Sequence, residues 1–94
     1  DKEYLKDVVN NNYKVKKWFE DELKKLHIKS RPSEGNFSFI ETSEKKAKEI
    51  SEHLTDDGII VRKLDSYGLP NCLRITIGTK AEMMATIKSL KNFT

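Results

Sequence analysis

The sequence is poor in the residues that mark specialised chains. It contains one cysteine, Cys72, so no disulfide can form within it. That excludes a disulfide-stapled secreted scaffold, and an intracellular, cytoplasmic location is the expectation. No apolar run approaches the roughly 20 residues of a membrane span, and no signal-peptide pattern is present. Two prolines and four glycines leave no linker or low-complexity tract, and there is no internal repeat. The glycines complete neither G-x-x-x-x-G-K-[ST] nor G-x-G-x-x-G, so no phosphate loop is predicted. Charge of one sign is also scarce. Eighteen basic against fifteen acidic residues give +3, too small an excess to imply nucleic acid by itself.

What is there fits one domain. The 94 residues can bury only a modest core, and 36% hydrophobic content is low for a globular chain. Part of the surface is therefore expected to pack on something else. The sequence opens at Asp1, directly in a helical pattern, and is expected to be a piece of a longer protein.

Apolar periodicity predicts a helix over residues 3 to 26, striped by Leu5, Val8, Val15, Phe19, Leu23 and Leu26. Asn10, Asn11 and Asn12 are weak helix formers where it can bend or restart. Glu20 with Lys24, and Asp21 with Lys25, are spaced as i,i+4 partners. Pro32 and Gly35 then punctuate a connection, with a brief strand near Ile28 to Ser30. "NFSFIE" predicts a strand with Phe37 and Phe39 on one face and Asn36, Ser38 and Ile40 on the other. Ser43 or Thr42 caps a helix striped by Ala47, Ile50 and Leu54, which stops at Gly58. "IIVRKL" is a strand, "SYGLPN" a loop and "CLRITI" the next strand. Thr79 and Glu82 form a capping box for a last helix striped by Met83, Ile87 and Leu90. The fold class expected is α+β: a small, mostly antiparallel sheet covered on one face by helices.

Few residues suggest chemistry. His27 and His53 have no ligand-spaced cysteine or carboxylate, so surface or helix-end histidines are the simpler reading and no metal site is expected. Cys72 reads as an inert, half-buried thiol. Lys14, Lys16, Lys17, Lys24, Lys25 and Lys29 are interleaved with acids and lack an aromatic RNA-binding pattern, which favours a solvated face. Tyr13 and Trp18 read as packing residues. Arg62 and Arg74 are the informative pair, each inside an apolar strand, with the two strands expected to be antiparallel neighbours. Their guanidiniums then project to one side, suited to bidentate capture of a carboxylate or phosphate. The alternative is a solvated pair on an open sheet face.

Three motifs in order, "PSEGNF", "GIIVR" and "LRITIGT", make residues 12 to 91 resemble the C-terminal small domain of histidinol-phosphate aminotransferase, a fold-type-I enzyme using pyridoxal phosphate. The resemblance implies one domain over residues 1–94, led by the helical segment 1–26, with the large cofactor-binding domain absent. It implies that Arg74 holds the substrate's carboxylate or phosphate and that Arg62 lines the same pocket. Asn36 matches a family asparagine near the substrate end of the site, less specifically, since it can act by ordering its loop. The implied partners are the large domain, a second copy in a full-length homodimer, and a phosphorylated or dicarboxylic amino-acid substrate, with neither nucleic acid nor membrane. The implied parent reaction is ping-pong transfer from glutamate to imidazole-acetol phosphate.

One departure limits this. The family's catalytic lysine follows a serine, and no serine here precedes a lysine. No catalytic or cofactor-binding residue is therefore expected in this chain, which alone should be inactive. Threonine-phosphate decarboxylase is similar in this region, and another fold-type-I aminotransferase is a further alternative. From a different class, a stand-alone binding module would show salt-sensitive RNA binding.

Overall fold

The computed structural model describes residues 2–31 and 33–93, with side chains from Tyr13 onward. The leading helix α1 (Lys2–Lys25) runs through Asn10–Asn12 without a break. Strands β1 (Lys29–Arg31) and β2 (Phe37–Glu41) follow, then helix α2 (Glu44–Asp56). Strand β3 (Arg62–Leu64), a short 3-10 turn (Asp65–Tyr67), strand β4 (Leu69–Thr76) and helix α3 (Lys80–Phe93) complete the chain. The strands form one antiparallel sheet in the order β1-β2-β4-β3.

The helices lie on one face of this sheet because the apolar stripes leave them no other surface to bury. Val15, Phe19 and Leu23 of α1, Ala47, Ile50 and Leu54 of α2, and Met83, Ile87 and Leu90 of α3 meet Ile40, Leu73 and Ile75 in one core. Leu5 and Val8, predicted for the same stripe, lie outside the described side chains. Ser38, on the core face of β2, is fully buried and donates to Glu20 of α1 at 3.0 Å. This corrects the expected Glu20–Lys24 pair: a buried hydroxyl needs a partner more than a solvated ammonium does. Lys25 likewise pairs with Glu22 at 2.8 Å, not with Asp21.

Helix ends follow local chemistry. Ser43 accepts the Lys46 N–H and caps α2. Both α1 and α2 end in a left-handed residue, His27 (φ 60°) and Gly58 (φ 79°) respectively.

Three further expectations change. The "IIVRKL" strand is only Arg62–Leu64, because Ile59 and Val61 turn into the core while Ile60 is 90% exposed. The "SYGLPN" loop is shorter than predicted. It becomes the 3-10 turn, closed by the left-handed Gly68, with β4 already starting at Leu69. Tyr13 is 68% exposed and packs on nothing in the core, whereas Trp18 packs against it.

Candidate anion-binding site

The face of the sheet away from the helices is where the sequence-predicted arginines fall. Strand alternation sends Leu73 and Ile75 into the core and Arg74 to the other side. Arg62 and Arg74 are direct cross-strand partners, so both side chains leave the same face at neighbouring positions. Phe39 is the partner of Arg74 on the other flank, and Arg31 is the partner of Phe39. One lateral row therefore crosses all four strands: Arg31, Phe39, Arg74, Arg62.

The electrostatics of this row are lopsided. Arg31 is paired with Glu41 at 3.4 Å, and Lys29 approaches the same carboxylate at 3.7 Å. Among the described residues, neither Arg62 nor Arg74 has an ion-pair or hydrogen-bond partner, and the Nε of Arg74 is buried without one. Two like charges set side by side on a sheet repel, and a buried guanidinium donor without an acceptor costs free energy. An anion seated between the two guanidiniums would offset their repulsion. The guanidinium carbon of Arg74 lies 4.6 Å from the centre of the Phe37 ring.

Asn36 is not part of the row. It stands just before β2, three residues from Phe39, which is about 10 Å along an extended strand. Its carbonyl accepts the Ile77 N–H at 2.8 Å and so adds a rung between the strand ends. It also borders an open groove of about 820 Å³ between α1 and the β1–β2 loop, lined by both signs of charge, including Lys16, Glu20, Asp21 and Arg31.

The remaining candidates sort out plainly. Among the described residues no cluster of histidine, cysteine and carboxylates can hold a metal. His27 is exposed, and His53 contacts the Ser89 carbonyl at 2.8 Å between α2 and α3. Cys72 is buried on the helix-free face, with the Arg31 guanidinium 3.9 Å from its sulfur. No helix among the described residues is long and apolar enough to cross a membrane.

The family model for aminotransferase class I and II matches residues 2–90. The chain belongs to that family. This aminotransferase domain is 37% identical over 91 residues, 97% of its length, to histidinol-phosphate aminotransferase of Clostridium botulinum. It is 42% identical over 83 residues, 85% of its length, to the Nitrobacter hamburgensis enzyme of the same name. It spans about a quarter of those relatives, 26% and 23% respectively. A crystal structure of a Burkholderia pseudomallei protein assigned as an aminotransferase superposes with a TM-score of 0.86 at 22% identity, over 94% of this chain and 27% of that one. That likeness establishes the fold.

Enzymes of this family generally use pyridoxal phosphate, which is held through a lysine. Among the side chains described, from Tyr13 onward, no lysine is buried, and the half-buried Lys16 already donates to the carbonyls of Ser33 and Gly35. The serine–lysine pair that the resemblance assigns to the cofactor's attachment does not occur in these 94 residues.

Two contacts at the site escaped the sequence: the Phe37 ring against Arg74, and the grip of Lys16 on the β1–β2 loop. The first depends on the β2–β4 register. The second spans 17 to 19 residues between a helix and a loop. Neither leaves a local pattern to find.

Proposed function

We propose that this chain is the substrate-anion-binding C-terminal domain of a cytoplasmic histidinol-phosphate aminotransferase. In this reading the full-length enzyme moves an amino group between glutamate and imidazole-acetol phosphate, giving 2-oxoglutarate and histidinol phosphate. Pyridoxal phosphate, held by the large domain, supplies the electron sink when bound. Arg74 takes the substrate's carboxylate or phosphate through its fork, Arg62 adds a second positive charge to the same pocket, and Asn36 orders the adjoining strand end.

The observation that carries this reading is the pair of adjacent arginines on the helix-free face, neither with an ion-pair or hydrogen-bond partner among the described residues. A strand holds such a clamp more rigidly than a loop, and rigid placement of the anion aligns the reacting carbon. The identities to histidinol-phosphate aminotransferases support the choice of substrate.

The test is steady-state kinetics of the full-length enzyme with histidinol phosphate. Removing one side of a desolvated charge pair costs about 2–5 kcal/mol, so Arg74→Ala should lower kcat/KM by about 30-fold or more. Lys80, which stacks on Trp18 at 4.1 Å, serves as the control. Lys80→Ala should stay within about threefold, because an exposed substitution away from the site changes little. Similar losses in both variants would sink the clamp.

A further inference from the structure

Arg74 alone would make a poor clamp. Its direct neighbour Arg62 carries the same charge, and its long side chain has many rotamers. The structure shows what narrows them. Phe37 is partnered with Thr76, two residues along β4 from Arg74, which makes it a diagonal neighbour on the same face. Arg74 reaches along the sheet to it, and the guanidinium carbon stops 4.6 Å from the ring centre. The ring attracts the cation and restricts where the guanidinium can sit. The Nη groups of Arg74 have no hydrogen-bond partner among the described residues and are left for an anion.

Phe37 is itself held in place from several directions. Its carbonyl accepts the Ser33 hydroxyl at 2.6 Å. Lys16 of α1 donates to the carbonyls of Ser33 and Gly35 at 2.8 and 3.0 Å. The next rung, Ile77 N–H to Asn36 carbonyl, fixes the residue before it. Yet the ring is half-buried and takes no part in the apolar core between sheet and helices. A tightly located aromatic ring outside the core, set against an arginine, needs a reason other than filling space.

We infer that Phe37 is a positioning residue for Arg74, holding its guanidinium in place for capture of the substrate's carboxylate or phosphate. This rests on the clamp assigned to Arg74 above. The ring contributes no bond to the substrate. It restricts the fork before the substrate arrives, so less freedom is lost on binding.

The probe is glutarate, an unreactive dicarboxylate, measured as a competitive inhibitor of the full-length enzyme. Phe37→Leu removes the ring but keeps an apolar side chain, and Phe37→Tyr keeps the ring. The inhibition constant should rise about 3- to 30-fold in Phe37→Leu, the range of cation–π contacts from exposed to desolvated sites. It should stay within about twofold in Phe37→Tyr, because the tyrosine ring binds cations too. In an Arg74→Ala background, where no guanidinium remains to orient, Phe37→Leu should have no further effect. A merely structural phenylalanine would show the same change in both backgrounds. If Phe37→Leu unfolds, Phe37→Met is read by the same criteria.

An unchanged inhibition constant in Phe37→Leu, while Arg74→Ala weakens glutarate, overturns the positioning role and leaves the clamp standing. Equal weakening in Phe37→Leu and Phe37→Tyr also overturns it. An Arg74→Ala enzyme that binds glutarate normally overturns the clamp and the positioning role together.

Discussion

At the residue scale, the clearest chemistry is at the start of α3. The Thr79 N–H donates to Glu82 Oε1 at 2.9 Å, and the Glu82 N–H donates to Thr79 Oγ1 at 3.2 Å. The first of these bonds, then the Thr79 hydroxyl, holds the Glu82 carboxyl below its ordinary value of 4.5, against a smaller opposing effect of burial. Gly78 leaves room for this arrangement, because a Cβ there would stand 2.7 Å from Glu82 Oε1. Glu22 is held low in the same direction by its bond to Lys25. A folded-state value below the unfolded one means that the contribution is present above about pH 4.5. It is lost as pH falls through the depressed folded value. Thermal unfolding of the protein and of Glu82→Gln should therefore differ most near pH 6 and converge towards pH 3. A constant gap between their melting temperatures across that range would contradict the assignment. This capping box was legible in the sequence because it is built within four residues. The ring beneath Arg74 was not, because it depends on which residue of β2 faces which residue of β4.

At the element scale, the ends of α1 and α2 are chemically alike and differ in one residue. The Ile59 N–H bonds the Leu54 carbonyl at 2.9 Å, and the Gly58 N–H bonds the Thr55 carbonyl at 3.0 Å. At the end of α1, the Ile28 N–H bonds the Leu23 carbonyl at 2.9 Å, and the His27 N–H bonds the Lys24 carbonyl at 3.0 Å. Both are Schellman endings, which want a left-handed residue at the position after the cap. Gly58 adopts it without a steric penalty; His27 has a Cβ that crowds the following carbonyl. His27→Gly should stabilise the protein by about 0.5–1 kcal/mol, the left-handed penalty less glycine's extra chain entropy. Urea unfolding checks this, and a destabilised variant would refute it. The sequence signalled the α2 stop by its glycine. It placed the end of α1 only by the breakers that follow, Pro32 and Gly35, since histidine advertises no such turn. The element types were otherwise legible because apolar spacing is dictated by burial. The exception, β3, is short because Ile59 and Val61 serve the core in place of a ladder, a choice that strand propensity alone does not disclose.

At the scale of the whole molecule, layering divides the labour. Three helices bury one face of a four-stranded sheet and leave the other to Arg31, Phe37, Phe39, Arg62 and Arg74. In the reading proposed here that free face carries the anion clamp, while the family's serine–lysine pair for the cofactor does not occur in these 94 residues. The relatives are about four times as long, so this layer is one part of a larger catalytic unit in the reading proposed here. A substrate held only by arginines gains orientation but no electron sink, and orientation without the sink leaves the proton-abstraction barrier where it was in water. The 94-residue chain, supplied with pyridoxal phosphate, glutamate and imidazole-acetol phosphate, should therefore form histidinol phosphate no faster than free pyridoxal phosphate does. The full-length enzyme under the same conditions should turn over at rates typical of enzymes, about 1 s⁻¹ or more. Product formation by the short chain well above the cofactor background would place the reactive amine within these residues and overturn the division between clamp and chemistry.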